Sequence, residues 1–266
     1  MGRYNRGEDG MRTVALEIRR MLLSPSLWLG ILGAFLWMFF LTLNGLIQPE
    51  TTLVSSVIMS VELAVDLNSS YIVLLGIIPI FPYALSLIRE WNEHATPFWM
   101  IRTGVTAYTV AKLVAVALSG FLTVFLGMLL YIAVQRVFLP WGDITNTFSG
   151  YNAASDSIYI YFLLVASPKG ASSMLVAVCA LWISTYFSNV YAAIIAPNAL
   201  YWLLMRIFSY IPLPEILNPL YLLQAYGHGM YTWDVNYSMH WIIILVLCIL
   251  MGMNTVGRMR KKVEHD

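Results

Sequence analysis

The sequence predicts an all-α integral membrane protein with six transmembrane helices. Three observations lead there: a scarcity of charge, a series of uncharged apolar runs of bilayer length, and a one-sided distribution of arginine and lysine. Of the 266 residues, 59% are apolar and 11% charged, with a mean hydropathy of +0.73. Soluble domains carry about a quarter charged residues, so this deficit places the chain in the membrane class. The formal net charge is +1. No global basic field exists, and no nucleic-acid partner is expected.

A hydrocarbon core of about 30 Å needs about 20 apolar helical residues. Residues 27–47 are uncharged and fit a first span. The first apolar run is too long for a signal-peptide core and lacks a small-residue cleavage pattern, so it is expected to persist as a span. Residues 71–88 fit a second, with Pro79 and Pro82 inside it; proline kinks a spanning helix without forbidding it. Residues 113–134 give a third. The run 174–205 is uncharged throughout, yet as one helix it would be about 48 Å long. A break near Ser188 and Asn189 divides it into spans at 171–187 and 190–207. Residues 241–257 form the sixth.

The cations agree with this layout. Arg3, Arg6, Arg12, Arg19, Arg20, Arg89, Arg102, Lys112, Arg258, Arg260, Lys261 and Lys262 fall on one side, against Arg136, Lys169 and Arg206 on the other. The positive-inside rule puts the first side in the cytoplasm. Both termini are therefore expected there, in a multi-pass protein of the cell membrane. The runs 157–165 and 216–223 are too short to cross and are expected as interfacial or re-entrant helices at the outer face.

Before the first span, Met11, Val14, Ile18 and Met21 recur at helical spacing, with Arg12, Glu17, Arg19 and Arg20 at the other positions. This pattern predicts an amphipathic helix on the inner membrane surface, its arginines at the lipid headgroups. Ser24-Pro25 supplies a helix-starting pair for the first span.

Chemistry-bearing motifs are sparse. Ionisable residues inside spans mark ion sites and proton relays, and the six predicted spans contain essentially none. Asn44 reads as an interhelical hydrogen-bond partner. Cys179 and Cys248 sit in apolar runs as packed thiols. The four histidines are scattered and suggest no metal site. No H-E-x-x-H, G-x-S-x-G or Gly-Lys pair occurs, so neither catalytic residues nor a Walker-type nucleotide loop is expected. A translocation path through these spans would take its energy from a partner.

The link between the second and third spans is the exception to the low charge. It reads R-E-W-N-E-H-A-T-P-F-W-M-I-R-T-G over 89–104. Thr96-Pro97 is a helix-start pair, and Gly104 after Arg102 is a helix stop. A short cytoplasmic helix is predicted between them, with Phe98, Trp99 and Met100 as aromatic and apolar anchors for a partner. Arg89, Glu90, Trp91, Glu93 and Arg102 would surround them, and Thr106 would cap the third span. Read alone, the link fits equally an ordinary inner loop held at the headgroups by Trp91 and Trp99.

The basic helix before the first span, the acid followed by Arg102, Tyr108 and Lys112, and the six-span layout together resemble the permease subunits of ABC-2 type exporters. The resemblance implies that 1–266 is one transmembrane permease domain. It makes the approach E-I-R-R-M-L-L-S-P-S-L-W, residues 17–28, a connecting helix and the link at 89–104 a coupling helix that docks in a groove of an ATPase subunit. It further implies a second permease copy or relative, two cytoplasmic ATPases holding ATP and magnesium, and no cofactor in this chain. The family commonly has a glycine a few residues after the acid, where this chain has Ala95-Thr96-Pro97; either Glu90 or Glu93 stands as that acid. The expected setting is a bacterial plasma membrane. The expected cargo is amphipathic or hydrophobic: a peptide such as an antimicrobial peptide, a toxin, a drug or a lipid-like molecule. The rival readings are a membrane enzyme, which needs converging carboxylates, histidines or cysteines, and a non-transporting scaffold or sensor that recruits a cytoplasmic partner.

Overall fold

The computed structural model describes residues 6–47, 56–65, 76–93, 96–142, 157–187, 189–208, 210–211 and 233–265. Among these the regular structure is helical, without strands. The helices are α1 (Arg6–Leu23), α2 (Pro25–Ile47), α3 (Val57–Val65), α4 (Ser86–Asn92), α5 (Thr96–Thr103), α6 (Val105–Phe138), α7 (Ile158–Ser184), α8 (Val190–Phe208) and α9 (Trp233–His265). A 3₁₀ turn, Ile78–Ile80, precedes α4. Among the described residues four segments are long and apolar enough to cross a membrane: Pro25–Leu43, Val105–Phe138, Ile158–Ser184 and Tyr237–Glu264. Val190–Leu204 is a shorter apolar helix.

Small residues let the long helices approach closely, as membrane bundles require. A Cβ on Gly127 would lie 2.7 Å from the Ala34 Cβ, and one on Gly120 would lie 2.9 Å from the Ser173 carbonyl. These positions fix the α2–α6 and α6–α7 crossings. The Ser173 hydroxyl donates to the Gly120 carbonyl at 2.8 Å, adding a polar stitch to the second. On α2, Leu27, Ile31, Ala34 and Met38 are buried at alternating four- and three-residue steps, while Trp28, Leu29, Leu32, Leu36 and Phe40 are exposed. That outward apolar face is what a lipid-facing helix presents.

The second predicted span differs most from expectation. Residues 71–75 lie outside the described residues, and 76–92 do not form one continuous helix. The 3₁₀ turn is followed by turns through 81–85 and then by α4. Pro79 and Pro82 explain this, since each removes an amide donor and crowds the preceding turn. Tertiary contacts hold the segment. Asn198 on α8 donates to the Gly76 carbonyl at 3.0 Å, and Ser26 on α2 donates to the Pro82 carbonyl at 2.7 Å. Gly30 leaves the room that the Pro82 ring fills.

The run 157–165, expected as a separate interfacial helix, is the first third of α7. Pro168 lies inside that helix without ending it. A mid-helix proline forfeits one backbone bond, and the neighbouring helices hold the geometry. Lys169, expected in an outer loop, thereby lies inside a candidate span and is 2% exposed. His240 is also buried, on α9, where it meets the Ser172 hydroxyl and the Pro168 carbonyl. The expectation that the spans carry no ionisable groups is corrected on both counts. The break near Ser188 and Asn189 is present: α7 ends at Ser184 and α8 begins at Val190. The run 216–223 lies outside the described residues, as does the side chain of Asn44.

Candidate functional site

α6 has 34 residues and is about 51 Å long at 1.5 Å per residue, longer than a bilayer core. α9, with 33 residues, is similar. Both run on past the apolar bundle at the same end, where α1, α4 and α5 gather. Arg260 on α9 donates to the Thr106 hydroxyl at 2.8 Å, and the Lys262 ammonium lies 3.8 Å from the centroid of the Trp91 ring.

α5 forms at Thr96–Thr103, the residues bracketed by the predicted start and stop signals. Gly104 has φ 86°, a left-handed conformation that costs a side-chain-bearing residue but not glycine. Its amide donates to the Met100 carbonyl at 2.8 Å, and its carbonyl accepts from the Tyr108 amide at 3.1 Å. Gly104 thus ends α5 and starts α6 in one residue. Thr106, predicted to cap the third span, lies inside α6 and instead receives Arg260.

Beneath α5 sits a charged cluster built from four segments. Lys112 on α6 is 1% exposed at its side chain. Its ammonium lies 3.0 Å from Glu17 Oε2 on α1 and 2.5 Å from Glu90 Oε1 on α4. The Tyr83 hydroxyl donates to Glu17 Oε2 at 2.6 Å, and the Tyr108 hydroxyl donates to Glu90 Oε2. Arg20, one turn beyond Glu17, pairs with Glu17 Oε1 at 3.1 Å. Its guanidinium also stacks 4.5 Å from the centroid of Trp99 on α5. Two carboxylates thus face two cations, so the cluster has no uncompensated charge of the kind that makes burial costly. Burial alone would push the Glu17 carboxyl up. Lys112, the Tyr83 hydroxyl and Arg20 outweigh it, and the group sits below the usual carboxylate range.

The choice between the two acids of the link separates by placement. Glu90 turns inward to Lys112 and Tyr108, whereas Glu93 is exposed. Arg89 and Arg102 are exposed as well, and Trp91 is half-buried beneath Lys262. Of the three expected anchors, Phe98 is 76% exposed, Trp99 is half-buried under Arg20, and Met100 is 5% exposed and packs into the core. The expectation that Met100 faces a partner is therefore corrected. Ile101, at 85% exposed, takes its place beside Phe98. The signal was in the spacing, since Phe98 and Ile101 stand three apart on one helical face.

On α1, Arg12 and Arg19 are exposed, Val14 and Ile18 are half-buried, and Met21 is buried. Met11, however, is exposed and Glu17 is buried. The inward face is therefore apolar with one acid at its centre. Glu17 was missed because an acid between arginines reads as a member of the polar face. Only its pairing with a lysine far along the chain explains its burial. Among the described residues no group of three or more histidine, cysteine or acidic side chains is placed to hold a metal ion.

No family model, curated protein or solved structure matches the chain.

Proposed function

We propose that the chain is the permease subunit of an ATP-binding cassette exporter, driven through α5 by a separate ATPase subunit. The observation that carries this reading is the division of α5 into two faces. Phe98 and Ile101 are exposed on the outer one. On the inner side, Trp99 and Met100 are held against the Glu17–Lys112–Glu90 cluster and the core. Exposed aromatic and aliphatic side chains, on a link that also exposes Arg89, Glu93 and Arg102, suit insertion into a pocket of a partner. α5 is held through Trp99, stacked under Arg20, and through buried Met100, against α1, α4 and α6, which the buried ion pairs join to one another, so a displacement of α5 passes to those elements.

In this reading the chain crosses six times, the segment 71–92 and α8 joining the four longer spans. The end carrying α5 and the tail cations faces the cytoplasm of a bacterial cell. Two permeases, alike or related, enclose the path, and the ATPases hold ATP and magnesium. The cargo is amphipathic or hydrophobic, consistent with the apolar spans.

Co-purification from membranes tests the reading. An ABC-type ATPase is expected to accompany the chain, and Phe98→Ala with Ile101→Ala is expected to abolish that association while the chain stays folded. Full retention of the ATPase and of its turnover in the double variant would overturn the role of α5. A cysteine at position 102 labelled only from outside the cell would overturn the topology. Association with a non-ATPase partner would favour the scaffold or sensor reading.

A further inference from the structure

We infer that the groove between the α7–α8 turn and the end of α9 is a binding site for the headgroup of an anionic phospholipid. Tyr186, Asn254, Gly257, Arg258 and Lys261 line it. The inference rests on membrane embedment and on these residues alone. It holds whether or not an ATPase partners the chain.

Position is the first argument. Residues 241–257 carry no charge, and Arg258 is the first cation after them. The groove therefore lies where the apolar part of α9 gives way to charge, the level at which phosphates of a bilayer sit. Exposed Val246, Leu250 and Met253 lie along α9 before it. Leu250 precedes Asn254 by four residues and Met253 precedes Gly257 by four, so they share the groove's side of the helix. An acyl chain has an apolar track leading to the charged end.

Charge is the second. The tail cations divide their work. Arg260 is engaged by Thr106 and Lys262 by Trp91, while Arg258 and Lys261 are exposed in the groove, with Glu264 one turn further on. Arg258 is preorganised. Its guanidinium lies 3.9 Å from the centroid of the Tyr186 ring, and the Tyr186 hydroxyl donates to Asn254 Oδ1 at 3.0 Å. A guanidinium stacked on one face keeps its N–H edge for a phosphodiester, which it can bind through two parallel hydrogen bonds. Lys261, three residues on, adds a second positive charge. Basic pockets between membrane helices at the cytoplasmic surface are suited to such headgroups.

Shape is the third. Gly257 lines the groove between Asn254 and Lys261 on α9, and a Cβ there would meet nothing within 4 Å. The glycine therefore leaves open space in the groove and packs against no neighbouring helix.

Native mass spectrometry of the detergent-solubilised full chain, titrated with phosphatidylglycerol or phosphatidylcholine, reads the site directly. Phosphatidylglycerol is expected to bind at least tenfold more tightly. Arg258→Gln with Lys261→Gln is expected to weaken it about tenfold or more, the scale expected for two cations at a membrane surface, and to leave phosphatidylcholine unchanged. Gly257→Leu keeps both cations and puts a bulky side chain into the open space; the same loss is expected, and this variant decides the matter if the double variant does not fold. Equal binding of the two lipids, or unchanged phosphatidylglycerol binding in Gly257→Leu, overturns the inference. Glycerol 3-phosphate, which lacks acyl chains, is expected to compete poorly; equal competition would make this a soluble-phosphate site and overturn the lipid assignment. Binding of a polyglutamate peptide in place of phosphatidylglycerol would assign the groove to an acidic protein and overturn it likewise.

Discussion

Lys112 on α6 and Glu17 on α1 form an ion pair at 3.0 Å, and this contact joins the amphipathic helix to the bundle. Glu90 completes the arrangement from α4 at 2.5 Å. A lysine buried between two acids is stable only as a set. Lys112→Met is therefore expected to leave two carboxylates without their shared cation and to cost about 3–5 kcal/mol, the usual penalty for breaking a buried pair. The triple variant Glu17→Gln, Lys112→Met, Glu90→Gln removes the charges together and is expected to recover most of that loss. Thermal unfolding in detergent measures both. A single variant as stable as the parent would show that the cluster does not hold α1 in place.

The same cluster predicts an acid response. Glu17 sits below its ordinary value of 4.5 because Lys112, Tyr83 and Arg20 outweigh its burial. A carboxyl depressed in the folded state contributes stability that is fully present above its unfolded value and is lost as pH falls through its folded one. Stability is thus expected to be flat from neutrality down to about 4.5 and to decline below it. Glu17→Gln is expected to lower the plateau and reduce the slope in that acid window. The check is the melting temperature of parent and variant across that range.

Gly104 separates two helices by a conformation that other residues resist. Its φ is 86°, and a Cβ there would touch nothing within 4 Å. The cost of substitution is therefore conformational and not steric. Gly104→Val is expected to destabilise by about 1–2 kcal/mol, with Gly104→Asn milder, because asparagine visits the left-handed region more readily. Faster proteolysis within 89–104 in the valine variant would report loosening of α5. Equal protection in both variants would show that the turn tolerates another backbone path.

The link was legible because its punctuation is local. Thr96-Pro97 and Gly104 mark the ends of α5 without reference to anything distant, and the pause between Ser184 and Val190 follows from helix length against bilayer thickness. The burial of Glu17 was not legible, because it depends on Lys112 and Tyr83, which only the fold brings near. Met100 was misplaced for a related reason: a run of three bulky residues cannot all face outward on a helix, and packing against the core decided which turned in. The second predicted span shows the opposite failure. Its apolar composition was read as a helix, yet Pro79 and Pro82 stand three apart and break the ladder twice.

Lys169 tests whether the polar interior of the bundle takes part in the proposed export. It is buried on α7, inside a candidate span, with Ser172 and His240 forming a polar contact on the neighbouring turn. Ionisable groups at such depth are costly and are retained where a pathway uses them. A methionine of similar length keeps the packing of the lysine stem and removes the ammonium. On the proposed export function, Lys169→Met is expected to accumulate and to melt close to the parent, while cargo export falls severalfold. Lys169→Arg, which keeps an ionisable group in a bulkier head, is expected to fall between the two in export. Measuring melting temperature and export in the same preparations separates the roles: a methionine variant that loses stability and export together makes Lys169 a structural residue, and one that keeps both removes it from the path.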